Sequence, residues 1–263
     1  MKFKLKIEPS TIDLFYSAHW KVMSMFFDDP TQAHTNELKA TKELIDKTEI
    51  FKGAKVLDIG SGPGGLVAYL AKNYQCHVIG IELSKVMCDS ARKLIESQNL
   101  TNLVEIIHGD AQKIEFEKGF NFILSMEVFS HFDDKEKVIR KCFNSLKSRG
   151  IFAFTDSILK TKEITKEIKD ICSVWVSPYL ETIDGYAQIL KSTGFSIIKK
   201  EDITNEAIQY YRNRNNKLKA LKEKIVSKYG EDAFNNASKA VSGWLSLMEK
   251  RLSGHCRIIC KKA

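Results

Sequence analysis

The chain has 263 residues, enough for one α/β domain with a substantial core plus an added subdomain. Hydrophobic residues make up 43% and charged residues 28%; with only four prolines and no low-complexity tract, this composition excludes long disordered linkers. Much of the net charge of +8 lies in residues 217–262, where lysines alternate with apolar residues at helical spacing, so it reads as a solvated helix face rather than a nucleic-acid surface.

The first six residues alternate charged and apolar side chains and lack the apolar run of a secretory signal. No stretch approaches the ~18–20 apolar residues that span a bilayer, and the expected compartment is the cytoplasm. Cys76, Cys88, Cys142, Cys172, Cys256 and Cys260 form no C-x-x-C pair. They read as reduced structural thiols, and no metal site is expected.

Leu14, Ala18, Val22 and Met25 recur at steps of three or four, which predicts an amphipathic helix over 11–27. A second helix is expected over 35–47. Lys55-Val56-Leu57-Asp58-Ile59 reads as a buried strand, followed at once by a glycine loop at 60–65 and a short helix at 66–73. Strands are then expected at 77–81, 103–107, 120–125, 150–155 and 195–199. Helices fall between them, near 84–98, 133–146, 161–170 and 182–192. Such alternation implies a mostly parallel sheet covered on both faces. From about 205 to 252 the pattern is helical. Ile208, Tyr211, Leu218, Leu221 and Ile225 line one helix, and Phe234, Ala237, Val241, Trp244 and Met248 line the next. Residues 256–260 read as the last strand. A helical insertion at that point is a natural cap over a substrate pocket.

The glycine loop, Gly60-Ser61-Gly62-Pro63-Gly64-Gly65, satisfies G-x-G-x-x-G through Gly60, Gly62 and Gly65. That pattern alone fits nucleotide cofactors in general. Three acids sharpen it. Asp58 sits in the apolar strand just before the loop, where a carboxylate can reach an amino group or order a water beside it. Glu82 ends the second strand, 22 residues after Gly60, the place for an acid that grips ribose hydroxyls. Asp110, in His108-Gly109-Asp110-Ala111, follows the third strand and can accept from an adenine amino group.

At these residues the sequence resembles the class I S-adenosylmethionine-dependent methyltransferases, over roughly residues 50–200. The resemblance implies a Rossmann-like α/β sheet, mostly parallel, of seven strands with the last antiparallel. N-terminal helices would precede it and a helical cap would be inserted before the last strand. The implied organisation is a helical lid over 1–50, a cofactor-binding core over 51–200, a substrate cap over 201–254 and a final core strand over 255–263. It also implies that Asp58, Gly60, Gly62, Gly64, Glu82, Leu83, Asp110, Ala111 and Met126 hold the cofactor. A nicotinamide-dependent oxidoreductase fits less well. About fifty residues precede the first strand, and Asp58 suits a cationic amino acid better than a pyrophosphate.

Within the family, Phe15-Tyr16-Ser17-Ala18-His19-Trp20 resembles the leading helix of two groups. One is the cyclopropane fatty acid synthases; the other is the sarcosine/dimethylglycine and phosphoethanolamine N-methyltransferases. The second resemblance implies that Tyr16 pairs with His131 beyond the fourth strand. Asp202-Ile203-Thr204, Tyr210-Tyr211, Gly243-Trp244 and Gly254 look like the cap of the sarcosine/dimethylglycine enzymes. Ser130 stands where cyclopropane synthases carry a glutamate, which argues for plain methyl transfer. Met126 and Ser157 replace an arginine and a tyrosine of phosphoethanolamine enzymes, which weakens the case for a phosphorylated acceptor. Glu127 keeps an acid beside Met126, which suits an amine.

The expected activity is therefore N-methylation of a small amine, glycine-, sarcosine- or ethanolamine-like. His131 would be the proton acceptor, with Tyr16 and Glu127 assisting. Trp20, Phe129, Trp175 and Tyr179 could join Tyr16 in an aromatic cage around a methylated cation; the alternative for each is core or cap packing. A lipid or isoprenoid acceptor is the alternative. A nucleic-acid methyltransferase would need an N-P-P-Y-like motif or a reactive cysteine, which 125–131 does not supply, and a non-catalytic module would not need the retained acids. The expected partner is a small-molecule acceptor, and the expected state is a monomer or homodimer.

Overall fold

The computed structural model describes residues 9–263. The apolar runs become strands β1 (Lys55–Ile59), β2 (His77–Glu82), β3 (Val104–His108), β4 (Phe120–Met126), β5 (Leu146–Leu159), β6 (Glu181–Thr182), β7 (Phe195–Asp202) and β8 (Ser253–Lys262). They form one sheet of order β3-β2-β1-β4-β5-β8-β7, with β6 paired to the end of β5. The pairs from β3 across to β5 are parallel, and β8 runs antiparallel to both its neighbours.

Helices α1 (Pro9–Met23) and α2 (Glu37–Thr48) precede the sheet. α3 (Gly65–Tyr74), α4 (Lys85–Ser97), α5 (Lys135–Ser145), α6 (Lys166–Val174) and α7 (Ile183–Thr193) lie in the connections. Between β7 and β8 come α8 (Thr204–Ala220), α9 (Lys222–Tyr229) and α10 (Glu231–Glu249). Helix starts follow ordinary capping chemistry: the Thr182 hydroxyl accepts from Gly185 N–H at 2.9 Å and the Asp134 carboxylate from Lys137 N–H at 2.9 Å.

Three features differ from the sequence reading. The sheet has eight strands rather than seven, because the two residues of β6 pair with Ile158 and Leu159. A two-residue strand is too short for alternation to reveal. β5 is fourteen residues long rather than six, since the chain passes straight from α5 into the sheet at Leu146. The cap holds three helices rather than two, because Leu221, at φ −92° and ψ 4°, breaks the first expected helix into α8 and α9.

The sheet buries both faces, as a parallel core must. Leu44, Leu70, Ala91 and Phe122 belong to the layer under α2, α3 and α4. Ile123, Phe129, Phe152, Phe154 and Tyr186 belong to the opposite layer. A third cluster joins Val22 and Met23 of α1 to Ile168 of α6 and to Trp244 and Met248 of α10. All six cysteines are buried and free. No described helix is long and apolar enough to cross a membrane.

One polar pair lies within the second layer. The fully buried Tyr186 hydroxyl donates to Asp156 Oδ2 at 2.5 Å, and Asp156 Oδ1 has no partner. Burial raises the Asp156 pKa to about 6 even though Tyr186 favours the charged form. Tyr186→Phe should therefore lower stability by roughly 1–3 kcal/mol, the cost of orphaning a buried acceptor. Because a hydrogen bond to an ionised carboxylate is the stronger one, the loss should be greater at pH 8 than at pH 5. Urea unfolding at the two pH values measures it, and equal midpoints for variant and parent would refute the role of the pair.

Candidate active site

The site forms where β1, β2, β3 and β4 end, the edge at which parallel α/β sheets take ligands. Gly60 is required there by crowding: at φ 76°, a Cβ on it would meet Val128 Cγ2 at 2.2 Å. Gly62, at φ 53°, has open space where a side chain would stand, so the loop presents bare backbone to a cavity. Its N–H donates to Glu82 Oε2 at 2.9 Å, while Ser84 N–H donates to Oε1 at 2.7 Å. Burial raises the Glu82 pKa and these backbone donors oppose it.

Seven of the nine residues expected to hold a cofactor line this first cavity: Gly60, Gly62, Glu82, Leu83, Asp110, Ala111 and Met126. Asp110 accepts from Gln112 N–H at 2.9 Å, which fixes its carboxylate at the cavity wall. Gly64 and Asp58 stand behind the wall. Gly64, at φ 95°, lets α3 approach α4, since a Cβ would lie 2.9 Å from that of Ala91. Asp58 lies on β1 between Gly80 and Leu124, 1% exposed, and its carboxylate makes no hydrogen bond among the described residues. Burial and the nearby Glu82 carboxylate push its pKa up to about 8. A buried carboxylate without a protein partner is suited to a cationic group supplied from outside.

A second cavity of about 620 Å³ adjoins the first, and Tyr16, Ala33, Glu127 and His131 line both. Trp20, Ser130, Trp175, Tyr211, Arg214 and Trp244 complete its wall, so α1, α8 and α10 roof the end of the sheet. His131 ends a single 3₁₀ turn, Phe129–His131. Its Nδ1 lies 2.7 Å from the Val176 carbonyl, which can only accept, so Nδ1 carries the proton and Nε2 keeps its lone pair. Burial lowers the His131 pKa, so the ring is neutral near pH 7. Tyr16 reaches the same wall, and burial with the Glu82 and Glu127 charges holds its hydroxyl protonated. No hydrogen bond joins Tyr16 to His131 among the described residues.

The same 3₁₀ turn drives Phe129 inward, so it belongs to the core and not to a cage: it is fully buried against Phe132, Phe152, Phe154 and Tyr186. Tyr179 packs beside Lys135 and is not part of either wall. Trp20 and Trp175 do line the second cavity.

The Glu127 carboxylate is held by residues that the sequence reading missed. Oε1 accepts from Thr35 N–H at 2.5 Å and from His255 Nε2 at 3.1 Å, and His255 Nδ1 lies 3.4 Å from the Ser157 hydroxyl. Oε2 has no protein partner among the described residues. Burial would raise the Glu127 pKa, but His255, His34 and the Thr35 donor outweigh it and bring it down to about 2. A carboxylate depressed in the fold adds stability that is present above its ordinary value near ~4.5 and lost as pH falls toward ~2. Glu127→Gln should therefore be less stable than the parent at pH 7, with the gap closing between those two pH values. Denaturant titrations across that range measure it; a pH-independent gap would show that the Glu127 charge contributes nothing.

Against known proteins, residues 57–154 match the family model of a methyltransferase domain. The chain is 30% identical over 218 residues to a phosphoethanolamine N-methyltransferase of Arabidopsis thaliana, covering 82% of this chain and 43% of that one. It therefore spans less than half the length of that plant relative. It is 24% identical to a sarcosine/dimethylglycine N-methyltransferase of Halorhodospira halochloris, over 89% of this chain and 86% of the relative. The solved structure of a phosphoethanolamine N-methyltransferase of Haemonchus contortus superposes with a TM-score of 0.87 at 20% identity, over 98% of this chain and 61% of that one. Motif, cavity and sheet order agree with these likenesses: the chain carries a methyltransferase domain on the Rossmann-like class I methyltransferase fold.

Proposed function

We propose that the protein transfers a methyl group from S-adenosylmethionine to the nitrogen of a small amine. The observation that carries this reading is the meeting of two cavities, one walled by the glycine loop and its acids and one by the cap, at Tyr16, Glu127 and His131. The names of the relatives point the same way, since phosphoethanolamine, sarcosine and dimethylglycine are all small amines.

The first cavity fits the cofactor. Glu82 and Asp110 would take its ribose and adenine, the bare face of Gly62 would admit its backbone-hugging part, and Asp58, just behind the glycine-loop wall, would answer its ammonium directly or through a water. When bound, the cofactor supplies a methyl group already activated by a positive sulfur. The chain must then align the amine, keep water out and remove a proton. Glu127 Oε2 can hold the amine while it is still an ammonium. His131 Nε2, unprotonated and with only the Ser177 hydroxyl near it, at 3.5 Å, can accept the proton that the nitrogen must lose. Tyr16 and the cap tryptophans close the space around them.

A second reading rests on a separate apolar groove between α1, α6 and α10, lined by Leu14, Phe15, Val22, Phe26, Ala237 and Val241. Met23 and Trp175 line both this groove and the acceptor cavity, so an amine with an apolar tail would have room for it. Higher turnover of a long-chain amine than of ethanolamine would favour this version.

His131→Ala should keep the affinity for S-adenosylhomocysteine, read by calorimetry, but lose at least about ten-fold in turnover of labelled methyl groups. Unchanged turnover would remove His131 from the chemistry. Asp58 gives a pH test. Below about 8 its carboxyl is protonated in the free protein, whereas a ligand ammonium requires the carboxylate. Cofactor binding should therefore release a proton and tighten as pH rises from about 6 toward 8, the range in which an α-amino group is still largely charged. Calorimetry in buffers of different ionisation enthalpy reads the proton. Asp58→Asn should abolish both effects, and a parent affinity flat with pH would refute the pairing.

A further inference from the structure

One side chain of the acceptor cavity has no task in this scheme. Arg214, on α8, is 5% exposed and lines the cavity from the cap side. Its guanidinium lies 4.1 Å from the Phe27 ring and 4.8 Å from the Phe26 ring, with Trp175, Tyr210 and Tyr211 each at 5.8 Å. Ring faces balance a cation above and below its plane, but they do not satisfy its in-plane N–H groups. Nε and Nη2 of Arg214 have no hydrogen-bond partner, and no carboxylate pairs with it among the described residues. Those two nitrogens form one edge of the guanidinium fork, the edge that takes a carboxylate or phosphate in a bidentate grip. The chain's other buried arginine shows what is missing: Arg257 pairs with both Glu201 and Glu43.

We infer that Arg214 is an anion-binding subsite, and that the acceptor is an amine carrying a carboxylate or a phosphate monoester. The inference rests on the reading that this cavity receives the methyl acceptor. The cavity is polarised accordingly, with the Glu127 carboxylate where it joins the glycine-loop cavity and the Arg214 guanidinium on the cap side. A zwitterionic amine satisfies both ends at once. A neutral amine or a purely apolar acceptor leaves the buried guanidinium edge bare, and an apolar one leaves Glu127 Oε2 unanswered as well.

The test compares sarcosine, phosphoethanolamine and ethanolamine as acceptors for the full chain. One of the two anionic amines should exceed ethanolamine in kcat/KM by at least roughly ten-fold, as expected for a charge-assisted contact, and which one responds separates carboxylate from phosphate. Arg214→Met should raise KM for that acceptor roughly ten- to hundred-fold, with kcat within about three-fold and a smaller rise in KM for ethanolamine; Arg214→Lys should recover part of the loss. Ethanolamine equal to the best anionic acceptor, or an unchanged KM in Arg214→Met, would overturn the inference. Calorimetry with inorganic phosphate and with acetate adds a readout independent of turnover, with or without S-adenosylhomocysteine. Binding of one of them that weakens in Arg214→Met supports the subsite, and no binding to the parent protein, or equal binding to both, overturns it. Failure of the parent to bind S-adenosylhomocysteine would instead sink the methyltransferase reading, whereas cofactor binding without anion dependence sinks only this inference.

Discussion

The Glu127 carboxylate is the constraint on which the rest of the site depends. It follows β4 in a left-handed backbone conformation, φ 60°, which is unfavourable for a residue with a side chain. Such a conformation costs on the order of 1–3 kcal/mol and persists only where its surroundings over-determine it. Here they do. Oε1 receives a backbone N–H from Thr35, 92 residues earlier in the chain, and the His255 ring, 128 residues later. Hydrogen bonds to a charged group contribute roughly 1.5–3 kcal/mol each, enough to offset the strain. Three distant segments are thereby fixed at one carboxylate: the N-terminal stretch that carries Tyr16 toward the cavity, the end of a core strand, and the strand that follows the cap.

That dependence explains what could and could not be read in advance. The strand–helix alternation, the glycine loop and the acids after β2 and β3 are local patterns, and local patterns survive in a single sequence. His255 is different. It sits in the run Gly254-His255-Cys256-Arg257-Ile258, where nothing nearby distinguishes it from a tolerated polar residue. Its meaning comes from β8 inserting antiparallel between β5 and β7, which sets it opposite Ser157 and within reach of Glu127. Arg214 was more accessible to sequence reasoning. It falls between Tyr211 and Leu218 on the stripe that α8 buries, and a cation on an apolar stripe is a signal in itself. Phe129 takes the packing alternative of the two its position allowed. It neighbours His131 in sequence, yet one 3₁₀ turn sends the two side chains to different sides of the wall.

Burial sorts the ionisable groups of the acceptor cavity. Desolvation raises Tyr16 and lowers His34 and His131, so these three are neutral near pH 7. Glu127 escapes the same penalty because its carboxylate accepts from the Thr35 N–H and from His255. Arg214 stays charged because a guanidinium does not deprotonate in proteins. The cavity thus holds one fixed negative charge near the glycine loop, one fixed positive charge under the cap, and neutral hydrogen-bonding groups between them.

The two charges come from different parts of the chain, and this division matters for specificity. Glu127 belongs to the sheet, whose geometry must stay constant for a methyl donor to be held in line with its target. Arg214 belongs to an insertion between the last two strands, which can change without disturbing the order of the sheet. A fold of this kind does not dictate its substrate; the site grafted onto it does. With the donor end built into the core and the anion-binding end into the cap, the distance between the two sets the length of the acceptor. Substitutions in α8 would then change the cap-side charge while the glycine loop, Asp58 and His131 keep their places at the end of the sheet.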